Sequence, residues 1–275
     1  MINLMNPFII NAIIGIILGS LAALIAGTIS MLRGVHYLSA EVTHAALGGA
    51  AIGALVYEIT HIDLMFFVIA LLFSILTAMF TGYITRKGGI EVSGLAIGLA
   101  LAFSLSIYAI VIGLIPAELQ IRVNSYLISD ILLLTNADLI YMTTTIVTGL
   151  LIVFLFYNEV IYTCFDLEGT EALGLRTRIY DYIIFALVGI AGVVIAKAVG
   201  ALLVFALAIV PAATAKELSD SIPKLFFYTF IIALISGFFG LFLSILINFP
   251  TSGMIAMVAS LIYLIVIIAR KLINR

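Results

Sequence analysis

The sequence predicts an all-α polytopic membrane protein, a bundle of eight or nine transmembrane helices. Three observations carry this. First, hydrophobic residues make up 65% of the chain and charged residues 9%, against roughly 45–50% and roughly 25% in soluble domains. With 12 basic and 14 acidic residues among 275, there is too little charge to cover a soluble globule, so most of the surface must face hydrocarbon. Second, apolar runs of about 20 residues, the length needed to cross a bilayer as a helix, recur along the chain. Third, Lys and Arg gather in every second loop rather than being spread evenly.

The runs lie at Phe8–Leu32, Tyr37–Tyr57, Leu64–Thr85, Ser93–Ala117, Leu139–Tyr162, Ile179–Ala196, Val199–Ala215, Leu225–Ile247 and Gly253–Ala269. The two on either side of Lys197 are short and read either as two spans or as one broken element, which leaves the count at eight or nine. The stretch Val123–Leu134 is apolar but interrupted by Asn124, Ser129 and Asp130. It reads as a short re-entrant or interfacial helix. No classical cleavable signal is visible: the opening residues 1–8 lack a basic region, and the run that follows is long enough to span. The chain therefore reads as one transmembrane domain over residues 1–275.

Orientation follows from the basic residues, because cytoplasmic loops carry the excess of Lys and Arg. With the N-terminus outside, the inner loops hold Arg33; Arg86 and Lys87; Arg176 and Arg178; Lys216 and Lys224; and Arg270, Lys271 and Arg275. Only Arg122 and Lys197 fall outside. The expected placement is a multi-pass plasma-membrane protein with its N-terminus outside and its C-terminus in the cytoplasm. Gly15 and Gly19, Gly49 and Gly53, and Gly94 and Gly98 are each spaced by four. Such pairs let helix backbones approach closely in lipid. The single cysteine, Cys164, allows no internal disulfide and no cysteine-based metal site.

A charge or imidazole at membrane depth is costly and marks a functional hypothesis. Glu41 and His44 lie three apart and so share a helix face. A carboxylate and an imidazole together suit Zn²⁺, Mn²⁺ or Fe²⁺, and two such pairs from facing chains would supply the four ligands zinc prefers. A plain Glu–His hydrogen bond near a helix end weighs equally on spacing alone. His36 reads as a solvated or snorkelling residue, His61 as part of a solvated turn with Glu58 and Asp63, and Lys197 as snorkelling to the outer interface. Glu91 and Asp138 read as acidic residues at helix N-termini.

From Val210 to Lys224 the chain changes character. Pro211 ends or kinks the incoming helix, a short amphipathic stretch follows, and Pro223 starts the next helix. Together they predict a compact cytoplasmic knob able to take force from a soluble partner. There is no GxxxxGK[ST] phosphate loop, so this chain does not bind ATP in that way. No basic patch supports nucleic-acid binding.

Several segments, in order, resemble the permease subunits of the ABC-type zinc, manganese and iron importers, the ABC-3 family. They are Ser39 through Gly49; Ala96-Ile97-Gly98; Phe165-Asp166 through Glu171-Ala172-Leu173-Gly174-Leu175; Val199 through Val204 with Ile209 through Ala215; and Pro250-Thr251-Ser252-Gly253. The resemblance covers almost the whole chain. It implies a type II importer-like permease that does no covalent chemistry and holds no tightly bound cofactor. It also implies a homodimer around a pore, a cytoplasmic ATP-binding subunit and an extracellular solute-binding protein. The ATPase would dock through Pro211, Ala212, Ala213, Thr214, Lys216 and Glu217. Family members place an Asp four residues before the His of the second span. Here His44 matches the His, Ala40 stands at the Asp position, Glu41 follows it, and Gly48 replaces a frequent Pro. Glu41 is the expected carboxylate and His44 the expected imidazole of the metal site.

Two other functional classes make different demands on the residues. An ATP-independent secondary transporter or channel for cations calls for inverted repeats and several buried carboxylates, and neither is legible. A membrane-embedded enzyme needs polar groups converging at one depth, and Glu41 and His44 have no third ligand nearby in sequence.

Overall fold

In hydrocarbon a helix leaves no backbone polar group bare, and the long apolar runs take that form throughout. The computed structural model describes residues 7–172, 174 and 176–273. Leu173, Leu175 and Arg275, named above, and residues 1–6 lie outside them. Twelve α-helices are described: α1 Pro7–Arg33, α2 Leu38–Thr60, α3 Leu64–Gly88, α4 Ser93–Ile112, α5 Ala117–Asn124, α6 Asn136–Leu155, α7 Tyr157–Phe165, α8 Leu167–Ala172, α9 Thr177–Val199, α10 Val210–Leu218, α11 Ile222–Ile247 and α12 Thr251–Ile273. Of these, eight (α1 to α4, α6, α9, α11 and α12) are long and apolar enough to cross a membrane.

Helices α2 and α9 form the centre. From Leu38 to Ala51 every residue but His44 is buried, and so is all of Leu187 to Ala196. Helix α2 rests on α3, α4 and α9, while α9 also meets α1 and α6. Small residues make this closeness possible. A Cβ on Gly49 would stand 2.7 Å from the Phe73 Cβ, and one on Gly53 would stand 2.9 Å from the Phe66 Cα. Attraction between helices in lipid comes mainly from such contact. Gly94 and Gly98 differ: among the described residues nothing lies within 4 Å of a Cβ placed on either.

Three expectations change in detail. The run Leu139–Tyr162 is not one helix. It divides at Phe156, whose φ of −117° and ψ of 28° end α6. Polar Asn158 and Glu159 then suit an interfacial α7, which turns Val160, Ile161 and Cys164 inward. The stretch Val123–Leu134 is not a helix either. Pro116 opens α5 ahead of it, and after Asn124 only a 3-10 turn, Ile131–Leu133, forms. The Asp130 carboxylate accepts from the Leu132 N–H, which caps that turn.

The run Val199–Ala215 is the third. Val199 ends α9, a 3-10 turn spans Ala201–Leu203, a π turn spans Phe205–Ile209, and α10 completes the path. Two residues impose this. Gly200 has φ +85°, and a Cβ there would stand 2.6 Å from the Leu127 carbonyl oxygen. The Ala201 N–H donates to the Tyr126 carbonyl at 2.9 Å. Pro211 has no N–H, and in a regular helix its ring would collide with the Leu207 carbonyl. The widened turn, in which the Val210 N–H donates to the Phe205 carbonyl, takes that strain. The element starts beside Tyr126 and ends where Glu217 pairs with Arg270, so it runs the length of the bundle as a broken ninth member.

Ion pairs mark the two ends. One end holds Arg33–Asp181, Arg86–Glu171, Lys224–Asp220 and Arg270–Glu217, and the other holds Arg122–Asp63 and Lys197–Asp138. Of the described basic residues, all but Arg122 and Lys197 belong to helix ends on the first side.

Candidate functional site

Helix α2 carries both predicted ligands, and the two face different surroundings. Its alanine- and glycine-rich first half packs tightly, so Glu41 is fully buried. The Thr81 hydroxyl on α3 donates to Glu41 Oε2 at 3.4 Å. Glu41 Oε1 finds no hydrogen-bond partner among the described residues. His44 is half-buried, on the side of α2 where accessibility resumes farther along at Ile52, Leu55 and Val56.

The imidazole is fixed by its own helix. His44 Nδ1 lies 2.8 Å from the Ala40 carbonyl oxygen. A carbonyl only accepts, so Nδ1 carries a proton, and in the neutral ring the lone pair then lies on Nε2. That is the state in which imidazole binds a metal ion. One turn on, a Cβ at Gly48 would stand 2.7 Å from the Ser104 carbonyl oxygen, so α4 closes against α2 beyond His44. Among the described residues no three of His, Cys, Asp and Glu gather as a metal centre. One chain thus offers an imidazole on a partly open face and a carboxylate held against α3.

The remaining polar residues fall as follows. His36, expected to be solvated, is only partly exposed, and its Nδ1 is buried with no partner among the described residues. Burial and the nearby Lys216 ammonium hold its pKa below the ordinary histidine value. His61 is exposed in the turn after α2, with φ 55°. Lys197 does not simply snorkel. Its ammonium lies 3.0 Å from Asp138 Oδ1 and 5.0 Å from the centre of the Tyr126 ring. Asp138 also closes a capping box with Thr135 at the start of α6. These residues border a cavity of about 440 Å³ that also touches Asp63, Arg122 and Asp130.

The predicted coupling segment is partly interior. Pro211, Ala212 and Thr214 are buried in α10, and Ala213 is half-buried. Lys216 is exposed, and Glu217 pairs with Arg270 of α12. The exposed tip is therefore shorter than the expected knob, running from Lys216 to Lys224. Sequence reading missed the Arg33–Asp181 pair, 3.0 Å apart with side chains only 5% and 3% exposed. The signal was present: a lone acid four residues into the apolar run of α9 needs a partner.

The comparisons with known proteins agree with this architecture. A model of the ABC 3 transport family matches residues 5–270. The chain is 27% identical over 263 residues to the manganese import system permease protein ScaB of Streptococcus parasanguinis, covering 95% of this chain and 89% of that one. It is 28% identical over 265 residues to the manganese transport system membrane protein MntC of Listeria innocua, with the same coverage of 95% and 89%. Among solved structures it is similar to PsaBC from Streptococcus pneumoniae in complex with Fab. The TM-score there is 0.80 at 27% identity, over 95% of this chain and 91% of that one.

Proposed function

The chain belongs to the ABC 3 transport family, and from that premise we propose that it is the membrane permease subunit of an ATP-driven importer of a divalent transition metal ion. One observation carries the metal reading. His44 presents a free Nε2 on a partly open face of α2, in a chain similar over nearly its whole length to manganese import permeases. Imidazole and carboxylate ligands accept zinc, manganese and iron, so the cargo is one of the three, with manganese favoured by the relatives' names.

Two copies of the chain pair around the path, each contributing His44. Glu41 supplies a carboxylate to the cargo when α2 turns against α3 and draws it off Thr81. A binding protein outside delivers the ion. An ATP-binding subunit inside engages the tip from Lys216 to Lys224 and the α10 residues behind it. The differential affinity of ATP for one state of that subunit drives the permease between outward and inward openings. The permease makes and breaks no covalent bond. The basic residues at one end of the bundle support that end being cytoplasmic, with the N-terminus outside.

The test is reconstitution. The chain, its genomically neighbouring ATPase and its binding protein are placed in liposomes, and ATP hydrolysis and uptake are measured with Zn²⁺, Mn²⁺ and Fe²⁺ in turn. Hydrolysis and uptake coupled for one metal is the expected result. Uptake that ignores ATP overturns the reading.

A further inference from the structure

The π turn Phe205–Ile209 sits between the exposed tip and the helix that carries His44, and it touches both of the first two helices. On one side it meets α1. A Cβ on Gly27 would stand 2.1 Å from the Ala208 carbonyl oxygen and 3.0 Å from the Ala212 Cβ, so the two backbones lie directly on each other. On another side, the Phe205 ring meets the Tyr37 ring edge-on, with centroids 6.1 Å apart. Tyr37 is the residue immediately before α2, and Glu41 and His44 follow within two turns.

A π turn holds one residue more than the α turn it replaces and occurs frequently at functional positions. Taking that residue into regular helix rotates whatever lies beyond by about 100° and adds about 1.5 Å of rise. Here what lies beyond is α10 and its tip. The far end of the element cannot follow such a movement. Gly200 has no space around it, the Ala201 N–H is bonded to Tyr126 at 2.9 Å, and the Ser129 hydroxyl donates to the Lys197 carbonyl at 2.6 Å. An element pinned at one end and pushed at the other yields where its hydrogen bonding is least regular.

We propose that the Phe205–Ile209 turn is the mechanical joint of this permease, passing displacement of the tip to α1 through Gly27 and to the start of α2 through Tyr37. This rests on the importer reading above, in which the tip is pushed by an ATPase. Gly27, Tyr37 and Phe205 then act on the cargo only through α1 and α2.

The experiment uses the whole complex in liposomes and reads ions imported per ATP hydrolysed. Phe205→Ala, Gly27→Ala and deletion of Ala206, which removes the extra residue, are compared with the unaltered chain. Phe205 is 38% exposed, so its truncation leaves the bundle standing, and the two point variants decide the matter if the deletion fails to assemble. The expected result is retained hydrolysis with a loss of ions per ATP. Variants that assemble and keep the unaltered ratio overturn the joint while leaving the importer reading intact. An unaltered complex whose uptake ignores ATP overturns both.

Discussion

Arg33 Nε stands 3.0 Å from Asp181 Oδ1 and joins the last turn of α1 to the second turn of α9, with both side chains almost wholly removed from solvent. A pair of charges taken out of water is held by its geometry, and the loss of one partner strands the other. Asp181→Asn is expected to destabilise the protein by about 3–5 kcal/mol, whereas replacing both residues with apolar ones of similar volume is expected to cost far less. Thermal unfolding in detergent of the single and double variants checks this. Equal losses in both would show that the charges themselves, rather than their pairing, hold these helix ends together.

Gly200 gives a second expectation. Its φ of +85° suits glycine, and a Cβ there would stand 2.6 Å from the Leu127 carbonyl oxygen and 2.7 Å from the Ser129 nitrogen. Gly200→Ala is expected to cost about 1–3 kcal/mol from backbone strain alone, with the collision added. Its unfolding midpoint is compared with that of Gly174→Ala. Gly174 also has positive φ, at +79°, but no atom of the described residues lies within 4 Å of a Cβ placed there. A larger loss at Gly200 is expected, and equal losses would refute the part assigned to the neighbouring 127–129 backbone.

His36 sets a pH dependence. Burial first, then Lys216, keeps its folded pKa below the ordinary value of 6.5. The unfolded chain therefore takes up the proton first as pH falls. Stability is full above pH 6.5 and declines below it, through the folded pKa. His36→Gln is expected to flatten this decline, and Lys216→Gln to make it smaller, because the folded pKa then moves back toward 6.5. Melting temperature against pH for the three proteins tests the sign, and an unchanged slope in His36→Gln sinks the assignment.

The proposed cargo ligands are tested by uptake. His44→Ala is expected to abolish metal import in the reconstituted complex, because no other imidazole stands on that face of α2. Glu41→Gln keeps the bond from Thr81 and the packing, so a fall in uptake without a fall in melting temperature would assign the carboxylate to the cargo. Unchanged uptake in both variants would remove this pair from the path.

In the proposed importer, charge at the tip is expected to tune affinity for the ATP-binding subunit. Lys216→Glu and Lys224→Glu are expected to weaken association with the ATP-binding subunit, with a steeper effect at low salt because exposed charges are screened. Co-purification at two salt concentrations reads this. Association that is unmoved at both would place the docking surface elsewhere.

Much of the architecture was legible in the residues. Hydrophobic runs of spanning length located seven of the eight long helices to within about five residues, and the eighth, α6, with its end overshot into α7, because the bilayer fixes a helix length that composition alone can meet. The family resemblance rested on segments whose physical reasons now appear: Gly200 admits a backbone crossing, and Pro211 forces the turn before it to widen. The site was less legible. Spacing placed Glu41 and His44 on roughly one face, yet a span of 60° around a helix sufficed to send one toward α3 and leave the other half-open.

By itself, then, the sequence determined that this is a many-helix membrane protein, where its spans lie, and which end carries the positive charge. These are one-dimensional properties, set by the number of apolar residues in a row and the position of each Lys and Arg. Only the tertiary structure decided which charges meet. Asp181 and Arg33 are separated by 148 positions, and Lys197 finds Asp138 across another helix pair. It also decided that the seventh run would break into a 3-10 turn, a π turn and a short helix. Partners distant in the chain are chosen by how helices pack, and no local pattern encodes that choice.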